Sequence, residues 1–487
     1  MGTAASVQDA FSVVPTYQQE DKSVPKHNSD RAERVMRTKA APRFELGIKD
    51  LQSSALPLGH AAARSKTAPL ADRISETDPA LLVISNGHGE DLIALQIIEA
   101  LHRLQPAWTV KVLPLVGQGS CFQAAIEKGW VQKIGPGARL PSGGFSNQSL
   151  GALLSDLMAG LPLLTWKQWI CLRRERKSTA AILAVGDLLP LLMAWSTRRP
   201  FGFIGTPKSD YTWSSGPGQA LSDRYHALKG SEWDPWEWHV MKRRGCRLVA
   251  MRDRLTARGL RRHGVNATSP GNPMMDGLAP SDPPASLERC RRILLLCGSR
   301  MPEALNNFRR LISGLLQMPS PVPLAVLAAL GSTPLQQELK ELLQNLGFRS
   351  CPPPSSALKA AECWVHGPVL LLIGPGRFQQ WVAWAEAGVA TAGTATEQMV
   401  GLGIPALSLP GRGPQFTRGF AERQSRLLGG AVRTCESEQE LGRRLAQLLN
   451  DPLLRQEMGR MGRQRMGPAG GSEAIAREVI GQLAPDR

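Results

Sequence analysis

Four short stretches of this chain combine glycines with side chains that bind anions or move protons. The densest is Gly393-Thr394-Ala395-Thr396-Glu397, followed by Gly401-Leu402-Gly403-Ile404-Pro405. Residues 389–392 ahead of it form an apolar run that predicts a strand, so Gly393 and Thr394 make the turn into a helix. Backbone N–H groups at a helix start bind anions. Glycine lets a phosphate come close, and threonine hydroxyls either cap the helix or bond phosphate oxygens. Glu397, one turn in, can accept hydrogen bonds from ribose hydroxyls. The same residues also fit a capping box, with Glu397 reaching back to the backbone.

The second stretch is Leu294-Leu295-Leu296-Cys297-Gly298-Ser299-Arg300, again a strand entering a glycine turn. It sets the planar guanidinium of Arg300 where bidentate phosphate recognition is possible; on the local pattern alone a surface arginine at a turn fits better. The third is Gly87-His88-Gly89-Glu90-Asp91. His88 is a candidate general base, and Glu90 and Asp91 can orient acceptor hydroxyls. Acidic residues also suit any helix start. The fourth is Asp187, which ends the apolar run 180–185. A carboxylate there is costly unless paired or used, so it is either a base toward an acceptor hydroxyl or an N-cap.

These turns need strands to present them. Residues 81–84 predict a first strand and 92–104 a helix. Further strands are expected at 109–115, 180–185, 201–204 and 246–251. Residues 279–286 read Ala-Pro-Ser-Asp-Pro-Pro-Ala-Ser, a linker composition. The pattern then restarts, with strands at 292–296, 324–330, 369–373, 389–392 and 406–409 and a helix over 302–316. Alternating strands and helices predict parallel sheets, and ligands of such sheets lie at the carboxyl ends of strands. The fold class expected is α/β, with two Rossmann-like domains facing across a cleft. The first spans 79–278 and the second 287–465. A C-terminal helix in 466–487 is expected to pack back on the first domain. Residues 1–78 are polar, without apolar periodicity, and read as a disordered extension.

The chain carries 58 Lys and Arg against 41 Asp and Glu, a formal charge of +17. Such an excess favours nucleic acid, anionic membranes or phosphorylated substrates. No nucleic-acid module is present. The apolar stretch 150–172 is broken by Asp156, Gly160, Pro162 and Lys167, so it is no spanning helix. Arg173, Arg174, Arg176 and Lys177 follow at once, which suits a membrane-surface patch as well as a core helix with a solvated basic end. None of the eight cysteines makes a C-x-x-C pair, which argues for a reducing compartment.

In order along the chain, several motifs resemble the lipid-A-disaccharide synthase family, most nearly its cyanobacterial relatives. They are Gly89-Glu90-Asp91, Gly205-Thr206-Pro207, Gly271-Asn272-Pro273-Met274-Met275-Asp276, Cys297-Gly298-Ser299-Arg300 and Gly393-Thr394-Ala395-Thr396-Glu397. The resemblance implies the two-domain GT-B architecture. It also implies a nucleotide-sugar donor, UDP-linked, and a lipid acceptor met at the cytoplasmic face of a membrane. Gly298, Ser299, Arg300, Gly393, Thr394, Ala395, Thr396 and Glu397 would hold the donor. Gly87, Gly89, Glu90 and Asp91 would lie on the acceptor side, with Asp187 or His88 as base. The segment 411–424 is more similar to the glutamine-rich donor loop of other GT-B enzymes, which adds Gln415 and Gln424. No Asp-x-Asp motif occurs, so transfer without metal or other cofactor is expected. Cys297 stands where the family has proline, and Asn272 where it has histidine. A nucleotide-sugar 2-epimerase of the same architecture and a non-catalytic membrane-surface protein are the other readings.

Overall fold

The computed structural model describes residues 80–484 apart from 138–157, 159, 217, 219, 320–321, 332–333, 335 and 412–415, and leaves out the side chains of His88 and Gln336. The expected extension 1–78 lies outside the described residues. So do Gln415 and the start of the apolar stretch 150–172.

Two sheets carry the fold. The first is wholly parallel. It takes β1 (Ala80–Ser85), β2 (Val110–Pro114), β3 (Val131–Lys133), β4 (Thr179–Gly186), β5 (Phe201–Gly205) and β6 (Cys246–Met251) in the order 3-2-1-4-5-6. The second takes β7 (Arg291–Leu296), β8 (Leu324–Leu330), β9 (Arg349–Ser350), β10 (Glu362–His366), β11 (Val369–Pro375), β12 (Ala387–Ala390), β13 (Ala406–Ser408) and β14 (Val432–Thr434) in the order 14-13-12-7-8-11-10-9. Only β10 runs antiparallel, to β9 and β11. Central strands such as β1, β4 and β8 are apolar except for Ser85 and Thr179 at strand ends, because helices cover both faces.

Each sheet has a point from which the chain leaves in opposite directions. In the first sheet that point falls between β1 and β4, and in the second between β7 and β12. Connections that part there open a crevice at the carboxyl ends of the two strands. The turns after β1, β4, β7 and β12 are the four glycine-bearing stretches singled out in the sequence. β12 ends at Ala390, two residues before the expected limit, and begins earlier, at Ala387. Met399 fills the space beside Gly388, so this strand is packed by its neighbour's side chain rather than its own. The first helix, His88–Leu104, likewise starts four residues before the apolar periodicity does.

The segment Asn272–Asp276, between β6 and β7, forms a junction that reaches the helices of both lobes. Gln96 of the His88–Leu104 helix donates to Asp276 O (3.2 Å). Gln398 of the Thr394–Gly401 helix donates to Met274 O (2.8 Å). Met275 packs against Gly401, and Asn272 donates to Met466 O (3.1 Å). The Pro452–Met466 helix lies on the other side of the Thr394–Gly401 helix. Its Gly459 and Gly462 come so near Gly403 O and Val400 O that a Cβ at either would sit about 2 Å from a carbonyl oxygen. The last helix, Gly471–Leu483, packs on the first lobe, against His88–Leu104 and β6.

Asp276 caps that last helix, accepting from Gly470 N (2.5 Å) and Ser472 N (2.7 Å). Both bonds are charge-assisted. Asp276→Ala is expected to cost about 1–2 kcal/mol, read by urea denaturation, with Asp276→Asn losing less.

Candidate functional site

On the second-lobe side, Gly393 O accepts the N–H groups of Thr396 (3.1 Å) and Glu397 (3.2 Å), closing the first turn of the Thr394–Gly401 helix. Thr394 and Ala395 keep N–H groups with no intrahelical acceptor, as at any helix start. Beside this turn, at the end of β7, a small cleft is lined by Gly298, Ser299, Arg300, Asn307, Thr391 and Phe416, among others. Burial lowers the Arg300 pKa, Glu303 pulls it the other way, and the guanidinium is charged at any ordinary pH. An oxyanion in this cleft would meet the arginine.

Two of the expected donor residues turn inward instead. Thr396 is fully buried and its hydroxyl donates to Ala392 O (2.7 Å). Gln424 is buried too, and its amide donates to Ala392 O and Gly393 O, each at 3.2 Å. Both hold the shape of the turn. Asp91 likewise points inward. It is buried and takes a 2.5 Å hydrogen bond from Ser85 Oγ on β1. Burial pushes its carboxyl up to about 6.

The first lobe presents Asn86, Gly87, Gly89 and Glu90 from the turn after β1, and Asp187 from the turn after β4. The side chain of His88 lies outside the described residues. Asp187 N-caps the Leu188–Ser196 helix, accepting from Leu189 N (3.2 Å). Gly186, at φ +133°, sits against Asn86 and Glu90; a Cβ there would fall 2.9 Å from Asn86 Cβ. Only glycine holds that backbone and leaves Glu90 its place beside Asp187. Glu90 is half-buried. Desolvation first, then the nearby carboxylates of Asp187, Asp91 and Glu397, raise its pKa to about 7. Burial raises Asp187 as well, opposed by the Leu189 N–H and by Lys208.

Across the cleft the lobes touch. A Cβ on Gly89 would lie 3.3 Å from Thr394 Oγ1. Arg252, directly after β6, donates through Nη2 to Glu397 Oε2 at 2.6 Å and through Nη1 to Thr206 O at 3.3 Å. Glu397 is thus held by a cation from the other lobe. Further out, Arg423 and Arg426 of the Arg418–Leu427 helix pair with Asp223 and Glu232 of the first lobe, at 2.9–3.3 Å. Arg252, Asn86 and Asn307 were not singled out in the sequence. The one signal for Arg252 is its place just past a buried strand, where Asp187 also stands. Among the described residues no group of three or more His, Cys, Asp or Glu side chains is placed to hold a metal ion.

No protein-family model and no curated protein matches the chain, so the lipid-A-disaccharide synthase resemblance rests on its motifs alone. Solved structures do match in fold. CalG4, the calicheamicin glycosyltransferase, aligns at TM-score 0.53 and 14% identity over 84% of this chain and 100% of its own. UDP-glucose:anthocyanidin 3-O-glucosyltransferase in complex with UDP aligns at 0.52 and 12%, over 84% and 100%. A protein described as a putative UDP-N-acetylglucosamine 2-epimerase, from Listeria monocytogenes, aligns at 0.50 and 12%, over 84% and 98%. The architecture is GT-B: two Rossmann-like parallel sheets with their strand ends facing across a cleft.

Glu90 gives a prediction that needs no ligand. Its folded pKa lies above the unfolded value, so its contribution to stability is complete below about pH 4.5 and is lost as pH rises through 7. Glu90→Gln mimics the neutral acid. It is expected to match the parent at pH 5 and exceed it at pH 8, by on the order of 2–3 kcal/mol, in denaturant titrations at the two pH values.

Proposed function

We propose that the chain is a glycosyltransferase that moves a sugar from a UDP-sugar to a lipid or lipid-linked acceptor hydroxyl. The observation that carries this reading is the opposition across one cleft of an anion-accepting turn and a carboxylate pair. Gly298–Arg300 and the start of the Thr394–Gly401 helix are suited to a diphosphate leaving group, and Glu397 to a ribose. Asp187 and Glu90 face them from the other lobe, where an acceptor hydroxyl would give up its proton. Stabilising the charge that develops on the leaving diphosphate is the largest contribution such a site can make. Arg300 and the helix N–H groups offer it without a metal. The glycosyltransferase neighbours of like fold support the reading.

Support for a lipid acceptor comes from the first lobe's outer surface. Helices Leu161–Glu175, Leu188–Ser196 and Pro235–Met241 cover the same face of the first sheet. Trp169 on the first of them donates to Ser196 Oγ on the second (3.2 Å), and the second packs on the third. Each leaves a large apolar side chain in solvent: Leu163 and Trp166, Trp195, and Trp236, all 43–58% exposed. Lys167, Arg173, Arg174, Lys177 and Arg198 stand exposed among them. Apolar side chains ringed by cations suit an anionic membrane face, on which a cytoplasmic, peripheral enzyme would meet a lipid. Among the described residues no helix is long and apolar enough to cross a membrane.

A second reading, a nucleotide-sugar 2-epimerase, is favoured by the carboxylates on both sides of the cleft, Glu90 and Asp187 against Glu397. Its product would be an epimerised UDP-sugar formed with no acceptor present.

Calorimetry with UDP and a panel of UDP-sugars tests the donor site. Micromolar binding, about −8 kcal/mol, is expected for the parent and at least tenfold weaker binding for Glu397→Ala. Folded protein that binds no uridine nucleotide would sink the UDP assignment. Sedimentation with vesicles rich in anionic lipid tests the surface. The Trp166→Ser/Trp195→Ser variant is expected to stay in the supernatant where the parent pellets.

A further inference from the structure

One helix of the second lobe touches both the donor turn and the first lobe. Arg418–Leu427 carries Phe420 and Gln424 at i and i+4 on one side, and Arg423 and Arg426 at i and i+3 on the neighbouring side. The buried amide of Gln424 donates to Ala392 O and Gly393 O, each at 3.2 Å. The Phe420 ring lies against Phe416, which lines the Arg300 cleft, with centroids 5.3 Å apart. Ala421 and Leu428 are fully buried and Ser425 Oγ donates to Val432 O (2.7 Å), so the helix is seated on its own lobe and shifts as a unit.

Its other side meets carboxylates of the first lobe. Arg426 donates to Asp223 Oδ1 (2.9 Å), and Arg423 donates to Asp223 Oδ1 (3.3 Å) and Glu232 Oε2 (2.9 Å). Asp223 also accepts from Ala220 N (3.3 Å), and His226 Nε2 lies 3.9 Å from Glu232. Asp223 and Glu232 are 7% and 2% exposed. Pairs to carboxylates so buried hold their geometry more firmly than surface ion pairs do. None of the four residues lines the cleft beside Arg300. The two arginines nevertheless stand one residue before and two after Gln424, on one short helix.

We propose that Asp223 and Glu232 are positioning residues for the donor turn of the opposite lobe. Through Arg423 and Arg426 they fix the Arg418–Leu427 helix, and Gln424 and Phe420 pass that restraint to Gly393 and Phe416. When the lobes part, the restraint is lost and the turn loosens. A ligand that binds the turn tightens the contact between lobes by an equal coupling free energy. The link from lobe contact to turn stands on these bonds alone, and its effect on nucleotide affinity rests on the donor-site reading.

Hydrogen–deuterium exchange without nucleotide tests the link in the parent, Asp223→Asn and Glu232→Gln. Arg418→Gln serves as control, since its pairs with Glu422 and Glu436 are exposed. The Thr396 and Glu397 amides, which bond Gly393 O, are expected to exchange about threefold faster or more in Asp223→Asn and Glu232→Gln, and unchanged in Arg418→Gln. Calorimetry with UDP is expected to show about fivefold weaker binding in Asp223→Asn and in Arg426→Gln. The double variant should be no weaker than the worse single, because the two residues act as one pair. Unchanged exchange at the turn in both first-lobe variants would overturn the proposal, and so would equal acceleration throughout both lobes. Faster exchange with UDP affinity unaltered would remove the positioning role while leaving the donor site standing. A folded parent that binds no UDP would remove the donor reading, and the exchange rates would still decide the link.

Discussion

Two helix starts meet across the cleft, and the five residues Asn272–Asp276 fix their spacing. The helix after β1 is tied to this junction by Gln96, and the helix after β12 by Gln398, each through a single side-chain amide to a backbone carbonyl. The bonds are modest one by one, but the junction is packed rather than merely bonded. Met274 and Met275 are buried and Met275 presses on Gly401. Lengthening or thinning that segment would move both turns, and with them every group proposed to touch a ligand. The site is therefore not a property of either lobe alone.

Electrostatics divide the cleft into two unlike halves. On one side lie a helix start and Arg300, an environment prepared for negative charge. On the other lie Glu90 and Asp187, carboxyls whose burial favours holding a proton, helped in Glu90 by its carboxylate neighbours. Arg252 and Glu397 sit where the halves meet and neutralise each other. Divergent environments of this kind are how a single site can stabilise a leaving anion and accept a proton at the same pH.

Much of this was legible in the residues. Buried parallel strands are continuous apolar runs, so β1, β4, β6, β7 and β8 stand out, and the turns that follow four of the strands mark the crevices. Short strands with exposed members, such as β3, β9 and β14, carry no such run. The inward turn of Thr396 and Gln424 was invisible for another reason. A threonine or glutamine beside a glycine turn has the same sequence whether it bonds a ligand or the turn's own carbonyls. Arg252 and Glu397 pair across lobes, and no local spacing encodes a contact between residues so far apart.

The helix Gly471–Leu483 completes the first lobe from a point beyond the whole second lobe in chain order. All six strands of that lobe have been made once Met251 leaves the ribosome, yet the helix that covers His88–Leu104 follows only after the whole second lobe. At ordinary rates of synthesis the delay is on the order of ten to forty seconds. Throughout that interval the apolar surface that Ile475, Ala476, Val479 and Leu483 will bury is open to other chains in the cell. A nascent first lobe must therefore wait, shielded or at risk of association, until the second is finished.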